Sequence, residues 1–404
     1  MTATETPLAG SGESAPSDSN RRGYNVISAD GHLEVSSGAW AKYMPERYKD
    51  MIPKLESRRE ADCWVLGDLE MVNWGNLVCD LPYDEIKPGV WRYFNPDGSP
   101  RPGTGSAAQR LAEQDRDGVD AEVLFPPVHG PKLLRGLAKK DPGAYLANVQ
   151  AYNTWLAEEY CAVAPDRLVG NGIIPETGMD DAIAEMTRCK EMGLRSVCLL
   201  MWPNGGPTRK LDGSDDRFFA ASIDLDIRVS PHSRMGEGMA DDHRNGAFPQ
   251  RGPDAEACIM QLILSGIFDK YPDLQLYFAE TQAGWIPHSM NFLDEFYQRW
   301  YTYYDAKLPR MPSDYFRDNI LFSFIYDRMA MPLRYYIGVD HLMWGTDFPH
   351  SAGTFPHSAQ VLDDLFDGVP ADERRQILVE TPCRFFGLDP NAELTPTPTQ
   401  AGRS

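Results

Sequence analysis

Eight short apolar segments, most of them separated by helical patterns, constrain the fold of this chain more than any other feature. The segments are residues 24–29, 121–125, 168–174, 196–200, 226–230, 274–278, 319–324 and 342–345. Apolar residues at three-to-four spacing predict helices over residues 144–163, 180–192, 255–268 and 287–301. Strands that alternate with helices pair in parallel through right-handed crossovers. The sequence therefore predicts the α/β class, with eight strands closed as a (β/α)8 TIM barrel.

An open, doubly wound sheet is the alternative to the barrel. Such sheets often carry a Gly-x-Gly-x-x-Gly phosphate loop after the first strand. The first apolar segment of this chain is not followed by that motif. The barrel is therefore the favoured fold.

The 404 residues are best accounted for by one large domain with unstructured ends. Residues 1–22 and 389–404 are rich in small and polar residues and in proline, so we expect a disordered N-terminal tail and a flexible C-terminal tail. Residues 23–388 form the predicted barrel domain. Residues from about 40 to 110 are too many for a loop between a strand and a helix, and predict a cap-like insertion after the first strand.

The charge and the cysteines limit the partners and the compartment. A net charge of −20 opposes binding to nucleic acid or to an anionic membrane. No apolar run approaches the roughly 20 residues that span a bilayer, and no apolar signal core follows the N-terminus. The seven cysteines are scattered singly, which is typical of reduced thiols. We expect a cytoplasmic protein that acts on a small molecule.

Three potential metal ligands crowd the end of the first predicted strand, in the run Asp30-Gly31-His32-Leu33-Glu34. Residues i, i+2 and i+4 of a strand point to one face, so Asp30, His32 and Glu34 converge if the extended backbone continues through the glycine. The alternative is a turn at Asp30-Gly31 with His32 on the surface.

Further ligand-type residues follow other predicted strands. In a TIM barrel the carboxyl ends of the strands meet at one rim, where active sites lie. Carboxylates together with imidazoles suit iron, manganese or zinc. The full predicted metal set exceeds four residues and favours two ions bridged by a carboxylate: Asp30, His32, Glu34, His232, Glu280, Asp347 and His350. His129 and His357 are additional candidates for the site.

Some of these residues also have structural explanations. Glu34 could cap a following helix, and Glu280 could pair with Arg234. His350 or His357 could orient a carboxylate instead of binding an ion.

Four motifs resemble the amidohydrolase-related family of metal-dependent TIM-barrel proteins. They are the segments 30–34, 110–122, 279–287 and 344–350. The resemblance covers the chain from Tyr24 to about Leu388. Family members include hydrolases and decarboxylases with a divalent metal on residues that match Asp30 or His32, His232 and Asp347.

Within this family, the added Glu34 and Glu280 resemble a branch that holds two non-haem irons and activates dioxygen. This resemblance implies a diiron monooxygenase of antibiotic biosynthesis that hydroxylates an unactivated C–H bond. Its implied substrate is a diterpenoid linked to coenzyme A, as substrates of this branch often are. It implies an external electron donor or electron-transfer protein, and roles in the reaction for Glu280, Asp347 and His350. Met201, Trp202, Trp285 and Phe348 would line an apolar substrate pocket, although they could equally be packing residues at the barrel mouth.

The alternative is an amidohydrolase-type hydrolase or decarboxylase with zinc or manganese, in which Asp347 moves the proton. A barrel without activity that only binds a ligand is a third class. The sequence leaves open whether the protein forms a homo-oligomer.

Overall fold

The computed structural model describes residues 23–35, 37–58, 62–72, 92–127, 129–200, 215–232, 251–303 and 307–398. The strands in chain order are β1 (Ile27–His32), β2 (Lys54–Ser57), β3 (Asp62–Leu66), β4 (Leu69–Val72), β5 (Ala121–Phe125), β6 (Leu168–Ile173), β7 (Ser196–Leu199), β8 (Arg228–Pro231), β9 (Leu276–Phe278), β10 (Ile320–Phe324) and β11 (Leu342–Trp344).

Helices follow most of the strands. They are α1 (Ala107–Asp117), α2 (His129–Lys140), α3 (Pro142–Trp155), α4 (Met179–Glu191), α5 (Asp216–Asp224), α6 (Arg251–Leu264), α7 (Ile267–Lys270), α8 (Ile286–Trp300), α9 (Pro312–Asn319), α10 (Ala330–Ile337), α11 (Ser358–Leu365), α12 (Ala371–Arg375) and α13 (Thr381–Phe386).

The main sheet has eight strands in the order β1-β5-β6-β7-β8-β9-β10-β11, and every neighbouring pair is parallel. A parallel bridge between Gly31 and Phe348 connects the loop after β11 to β1. The backbone N–H of His32 donates to the carbonyl of Phe348 at 2.7 Å. These contacts join the two ends of the sheet and confirm the predicted TIM barrel.

The strands of the barrel are almost entirely buried, as the apolar segments require. All five residues of β5 are buried, and so are all five of β10. Strands covered by helices outside and by side chains inside have no solvent-facing side, so they appear in the sequence as continuous apolar runs and not as alternating patterns. Because the buried strands themselves form the core, the polar residues that follow their carboxyl ends lie outside it, at the barrel rim.

The insertion after β1 has its own small sheet. Two short 3₁₀ helices, Ser37–Tyr43 and Glu46–Tyr48, precede an antiparallel sheet of β2, β3 and β4. Residues 92–106 then lead to α1, where the side chain of Ser106 accepts a hydrogen bond from the backbone N–H of Gln109. This N-terminal cap satisfies one donor of the first helical turn.

Part of the predicted C-terminal tail contacts the barrel. Leu394 is buried, and the hydroxyl and backbone N–H of Thr395 both donate to the carboxylate of Asp166. The predicted N-terminal tail, residues 1–22, lies outside the described residues. Among the described helices, none combines the length and the apolar character needed to cross a bilayer.

Candidate active site

The strand β1 delivers Asp30 and His32 to the barrel rim. It stays extended through Gly31, which excludes the alternative of a turn. A Cβ atom on Gly31 would lie 2.8 Å from Nη2 of Arg110 and 2.9 Å from Oε1 of Glu122, so a larger residue would displace this buried ion pair. Asp30 and His32, two residues apart, therefore face the same interior volume.

Three other strand ends supply His232, Glu280 and Asp347. Glu280 and Asp347 have φ angles of 57° and 54°, in the left-handed region that non-glycine residues rarely occupy. Such strain costs about 1–3 kcal/mol per residue and is concentrated at functional sites. Hydrogen bonds hold both turns: the N–H of Glu280 donates to Oγ of Ser323 at 3.0 Å, and the N–H of Asp347 donates to the carbonyl of Asp30 at 2.9 Å.

The first cluster of ligand-type atoms joins Asp30, His32, His232 and Glu280, whose candidate ligand atoms lie within 4.8 Å of one another. The Nε2 atoms of His32 and His232 are 3.0 Å apart. Nε2 of His232 lies 3.3 Å from Oε2 of Glu280. Oδ1 of Asp30 lies 3.6 Å from Nε2 of His32 and 3.7 Å from Nε2 of His232. Two carboxylates and two imidazoles at these distances can hold one divalent cation.

The His32 ring is oriented to bind through Nε2. Its Nδ1 lies 3.2 Å from the carbonyl oxygen of Pro126, so Nδ1 carries the proton and Nε2 presents its lone pair to the cluster. Burial, together with the rings of His350 and His232, holds the pKa of His32 well below its usual value. The imidazole is therefore neutral, as a metal ligand must be.

The other members of the cluster hold protons more tightly. Burial raises the pKa of Asp30, although the interaction with His232 opposes this. Burial lowers the pKa of His232, but the carboxylates of Asp30 and Glu280 outweigh it and the net shift is upward. A cation that binds here must displace these protons.

A second cluster joins His32, Asp347 and His350. Nδ1 of His350 lies 2.8 Å from Oδ1 of Asp347, and its Nε2 lies 3.3 Å from Oε1 of Glu34. The His350 ring stacks on the His32 ring with 4.0 Å between centroids. Burial alone would lower the pKa of His350, but Asp347 and Glu34 raise it well above its usual value. This upward shift favours the imidazolium, which can donate to both carboxylates.

Two residues outside the predicted ligand set hold these parts in place. The Arg110 guanidinium donates to the carbonyls of His32 at 2.9 Å and Phe348 at 3.1 Å, and its Nε donates to Glu122 at 2.6 Å. It therefore joins the loops after β1 and β11. The hydroxyl of Tyr93 donates to Oε2 of Glu34 at 2.8 Å. Arg110 and Glu122 delimit one of the quoted motifs, whereas Tyr93 lies in the predicted insertion and belongs to none of the motifs.

The remaining predicted site residues lie elsewhere. Met201 and Trp202 are outside the described residues, as is the side chain of His129, whose backbone begins α2. His357 is exposed just before α11 and joins neither cluster. Nε1 of Trp285 donates to the carbonyl of Thr281.

Phe348 is buried in packing contacts. The Arg110 guanidinium lies 4.3 Å from the centre of its ring, and the Phe355 ring centroid is 4.4 Å away. These neighbours fit the packing alternative that the sequence left open for this residue.

The donor set fits a metal ion. Among the described residues, neither carboxylate oxygen of the fully buried Asp30 has a hydrogen-bond partner. A buried carboxylate in that state costs free energy unless a cation compensates it. The neighbouring imidazole nitrogens and the Glu280 carboxylate complete the oxygen and nitrogen environment that manganese, iron or zinc accepts.

Relatives of this chain include decarboxylases. It is 25% identical over 303 residues to 2-amino-3-carboxymuconate-6-semialdehyde decarboxylase of Dictyostelium discoideum, an alignment that covers 70% of this chain and 77% of that protein.

Solved structures share the fold. An amidohydrolase of Mycobacterium avium subsp. paratuberculosis superposes with a TM-score of 0.68 at 18% identity, over 91% of this chain and 98% of the other. A dihydroxybenzoic acid decarboxylase of a Polaromonas species, with bound manganese and 2-nitroresorcinol, superposes with a TM-score of 0.61 at 17% identity, over 90% and 97%.

These relatives correct the function expected from the added carboxylates. A diiron monooxygenase that hydroxylates a diterpenoid with dioxygen and an external electron donor is wrong, because the curated relative is a decarboxylase and the family model is that of an amidohydrolase, which support the alternative. The finer resemblance, to the diterpenoid hydroxylase of platensimycin and platencin biosynthesis, finds no support among them. The structure gives one physical reason: Glu34, counted as an iron ligand, faces Tyr93 and His350 and is not in the first cluster.

The family itself is shown by a match over most of the barrel. A family model described as amidohydrolase matches residues 90–388. These residues include α1, all barrel strands after β1 and the site residues His232, Glu280, Asp347 and His350. The chain belongs to this amidohydrolase family of metal-dependent TIM-barrel enzymes.

Proposed function

We propose that this protein is a divalent-metal-dependent, non-oxidative decarboxylase of a small carboxylic acid. The observation that carries the proposal is the position of the protonated His350 and Asp347 pair directly beside the first cluster, where His350 stacks on His32. A decarboxylase needs a place to fix a carboxylate and a proton donor next to it. The decarboxylases among the relatives support the same reaction class.

The residues of the first cluster, Asp30, His32, His232 and Glu280, are the proposed metal ligands. Their mixture of hard oxygen and imidazole nitrogen suits manganese, with zinc and iron as the alternatives. A divalent ion held by these residues would supply positive charge that attracts the substrate carboxylate. Manganese is the metal bound by the dihydroxybenzoic acid decarboxylase that shares this fold.

The reaction is balanced without an oxidant. The bond between the carboxylate and the substrate carbon that bears it breaks, carbon dioxide leaves, and the electron pair of that bond stays with the substrate. Asp347 and His350 hold a proton between Oδ1 and Nδ1 at 2.8 Å and deliver it to that carbon. The substrate class therefore comprises acids whose carboxylate lies beside an enol, enamine or phenol group. Protonation of the carbon that bears the carboxylate gives the keto or imine form of such an acid, and its C=O or C=N bond takes up the electron pair when carbon dioxide leaves.

The number of ions is part of the proposal. One ion in the first cluster leaves the hydrogen bonds of His350 to Asp347 and Glu34 intact. A second ion on His32, Asp347 and His350 would require His350 to give up a proton and at least one of these bonds. We therefore expect one ion per chain. Two tightly bound ions would favour the dinuclear site predicted from the residue count.

The test uses protein stripped with a chelator and reloaded with manganese, zinc or ferrous iron. Dihydroxybenzoates and 2-amino-3-carboxymuconate-6-semialdehyde are supplied without oxygen, and carbon dioxide is measured against loss of substrate. We expect one carbon dioxide per substrate and, in D₂O, one deuterium on the product carbon. Hydrolysis of lactones by the loaded protein, with no carbon dioxide from any acid, would instead favour the hydrolase.

A further inference from the structure

Tyr93 connects the insertion to the interior of the active site. Its side chain is fully buried, although it belongs to a segment that follows β4 and lies 59 residues beyond Glu34 in the chain. The hydroxyl donates to Oε2 of Glu34 at 2.8 Å. Burial and the Glu34 carboxylate raise the pKa of Tyr93 well above its usual value, so the hydroxyl keeps its proton.

The insertion holds this tyrosine from several sides. Nε1 of Trp64, on β3, donates to the Tyr93 hydroxyl at 2.7 Å, and the two rings meet edge to face. The backbone N–H of Tyr93 donates to Asp62 at 2.8 Å, and its carbonyl accepts from the Thr104 hydroxyl at 2.8 Å. Since Trp64 donates to the oxygen, the single hydroxyl proton is directed to Glu34.

Glu34 passes this restraint to His350. The two oxygens of the carboxylate face different partners: Oε2 accepts from Tyr93, and Oε1 lies 3.3 Å from Nε2 of His350. Nδ1 on the opposite side of the same ring bonds to Asp347 at 2.8 Å. A carboxylate fixed at one oxygen orients the imidazole ring bonded to the other, as partners of functional histidines commonly do.

We propose that Tyr93 is a positioning residue that acts through Glu34 to orient His350 toward Asp347. The small sheet of the insertion thereby controls how well the proton-donating pair is aligned. The inference rests on the proposed decarboxylation only for its effect on turnover. The orientation of His350 can be measured without any reaction.

A purely structural role is the competing explanation. Tyr93 could do no more than stabilise the insertion against the barrel. In that case, loss of the hydroxyl would lower the melting temperature without a specific effect on His350. Tyr315 supplies the matched control, because it is also fully buried and its hydroxyl donates to a carboxylate, that of Asp269 in α7.

The experiment compares Tyr93→Phe with Tyr315→Phe. The chain has eight histidines, so NMR of protein with ¹⁵N-labelled histidine can follow single imidazole N–H signals, and His350→Gln assigns the signal of His350. In metal-free protein we expect Tyr93→Phe to shift or broaden the His350 Nε2–H signal. We expect Tyr315→Phe to leave that signal unchanged.

Turnover gives the second measurement. In manganese-loaded protein, Tyr93→Phe should lower kcat about 10- to 100-fold with KM little changed, the range found when a partner of a functional ligand is removed. In a Glu34→Gln background the same substitution should cause no further loss, because the connection is already broken. If Tyr93→Phe does not fold, Trp64→Phe replaces it, because this variant keeps the Tyr93 hydroxyl and loses only the hydrogen bond from Trp64. We expect it to change the His350 Nε2–H signal in the same way but by a smaller amount.

The outcomes separate the hypotheses. An unchanged His350 signal, or losses of kcat that multiply in the double variant, would overturn the positioning role. If the His350 signal changes in Tyr93→Phe but the wild-type protein releases no carbon dioxide, the decarboxylase is rejected while the positioning role stands.

Discussion

The Nε2 atoms of His32 and His232 lie 3.0 Å apart. His32 ends β1 and His232 follows β8, which is four strands away in the eight-stranded barrel. Nε2 of His32 carries a lone pair, because its Nδ1 proton is directed to the Pro126 carbonyl. The shared position between the rings is therefore filled by the proton of His232, whose pKa is raised. The same position suits a cation that both lone pairs can bind.

We expect metal affinity to rise with pH. Asp30 has a pKa above its ordinary 3.8 and His232 has one above 6.5, so both retain protons in metal-free protein at pH values where they would be ionised or neutral in water. His32, whose pKa is lowered, is neutral and has no proton to lose from its ligand atom Nε2. Manganese binding should therefore release protons and weaken steadily as pH falls below neutral.

Calorimetry in buffers of different ionisation enthalpy counts the protons released per ion. The His232→Gln variant should release fewer and bind more weakly. Histidine side chains titrate between about pH 5 and 8. A manganese affinity that does not change over this range would contradict the assigned protonation states.

Asp30→Asn should separate metal binding from folding. The amide is nearly isosteric but lacks the charge that attracts a cation, so we expect manganese affinity to fall at least about 10-fold. Without metal, removal of a buried carboxylate that burial disfavours should raise the free energy of unfolding by on the order of 1 kcal/mol. Urea titrations with and without manganese measure both effects, and the exposed Asp224 on α5, changed to Asn, is the control. A destabilised metal-free variant would show that the carboxylate is stabilising by itself.

Arg110 should be essential to the frame of the site. It is buried, paired with Glu122 at 2.6 Å, and donates to backbone carbonyls in two ligand loops. Arg110→Met leaves a buried carboxylate without its partner, a change that typically costs about 3–5 kcal/mol. Arg135→Met removes a more exposed pair with Glu176 at 3.2 Å and should cost about 1 kcal/mol or less. Equal losses in urea denaturation would argue against a special role for Arg110.

The sequence was sufficient for the barrel and for the place of its site. Buried parallel strands are local, continuous apolar runs, and the topology of the fold brings their carboxyl ends to one rim. That is why Asp30, His32, His232 and Glu280, which span 250 positions of the chain, could be predicted to meet.

Other features depend on contacts that no local pattern encodes. The left-handed turns at Glu280 and Asp347 are imposed by tertiary hydrogen bonds and not by glycine. The bond of Glu34 to Tyr93 arises from the way the insertion folds back on the rim. Residue types alone did not show that Glu34 bonds to Tyr93 and His350. They led to the wrong reaction, because carboxylates near a metal serve oxygenases and decarboxylases equally.

Removal of the proton donor should stop turnover and leave the metal in place. His350→Gln keeps a polar side chain but cannot supply the imidazolium that bonds to Asp347, so we expect kcat to fall by roughly 10²–10⁴, the usual contribution of a general acid. Manganese content should stay near one ion per chain, because His350 is not in the first cluster. The exposed His288 on α8, changed to Gln, should keep full activity. Loss of manganese from His350→Gln would instead make this residue a metal ligand and return the dinuclear site to consideration.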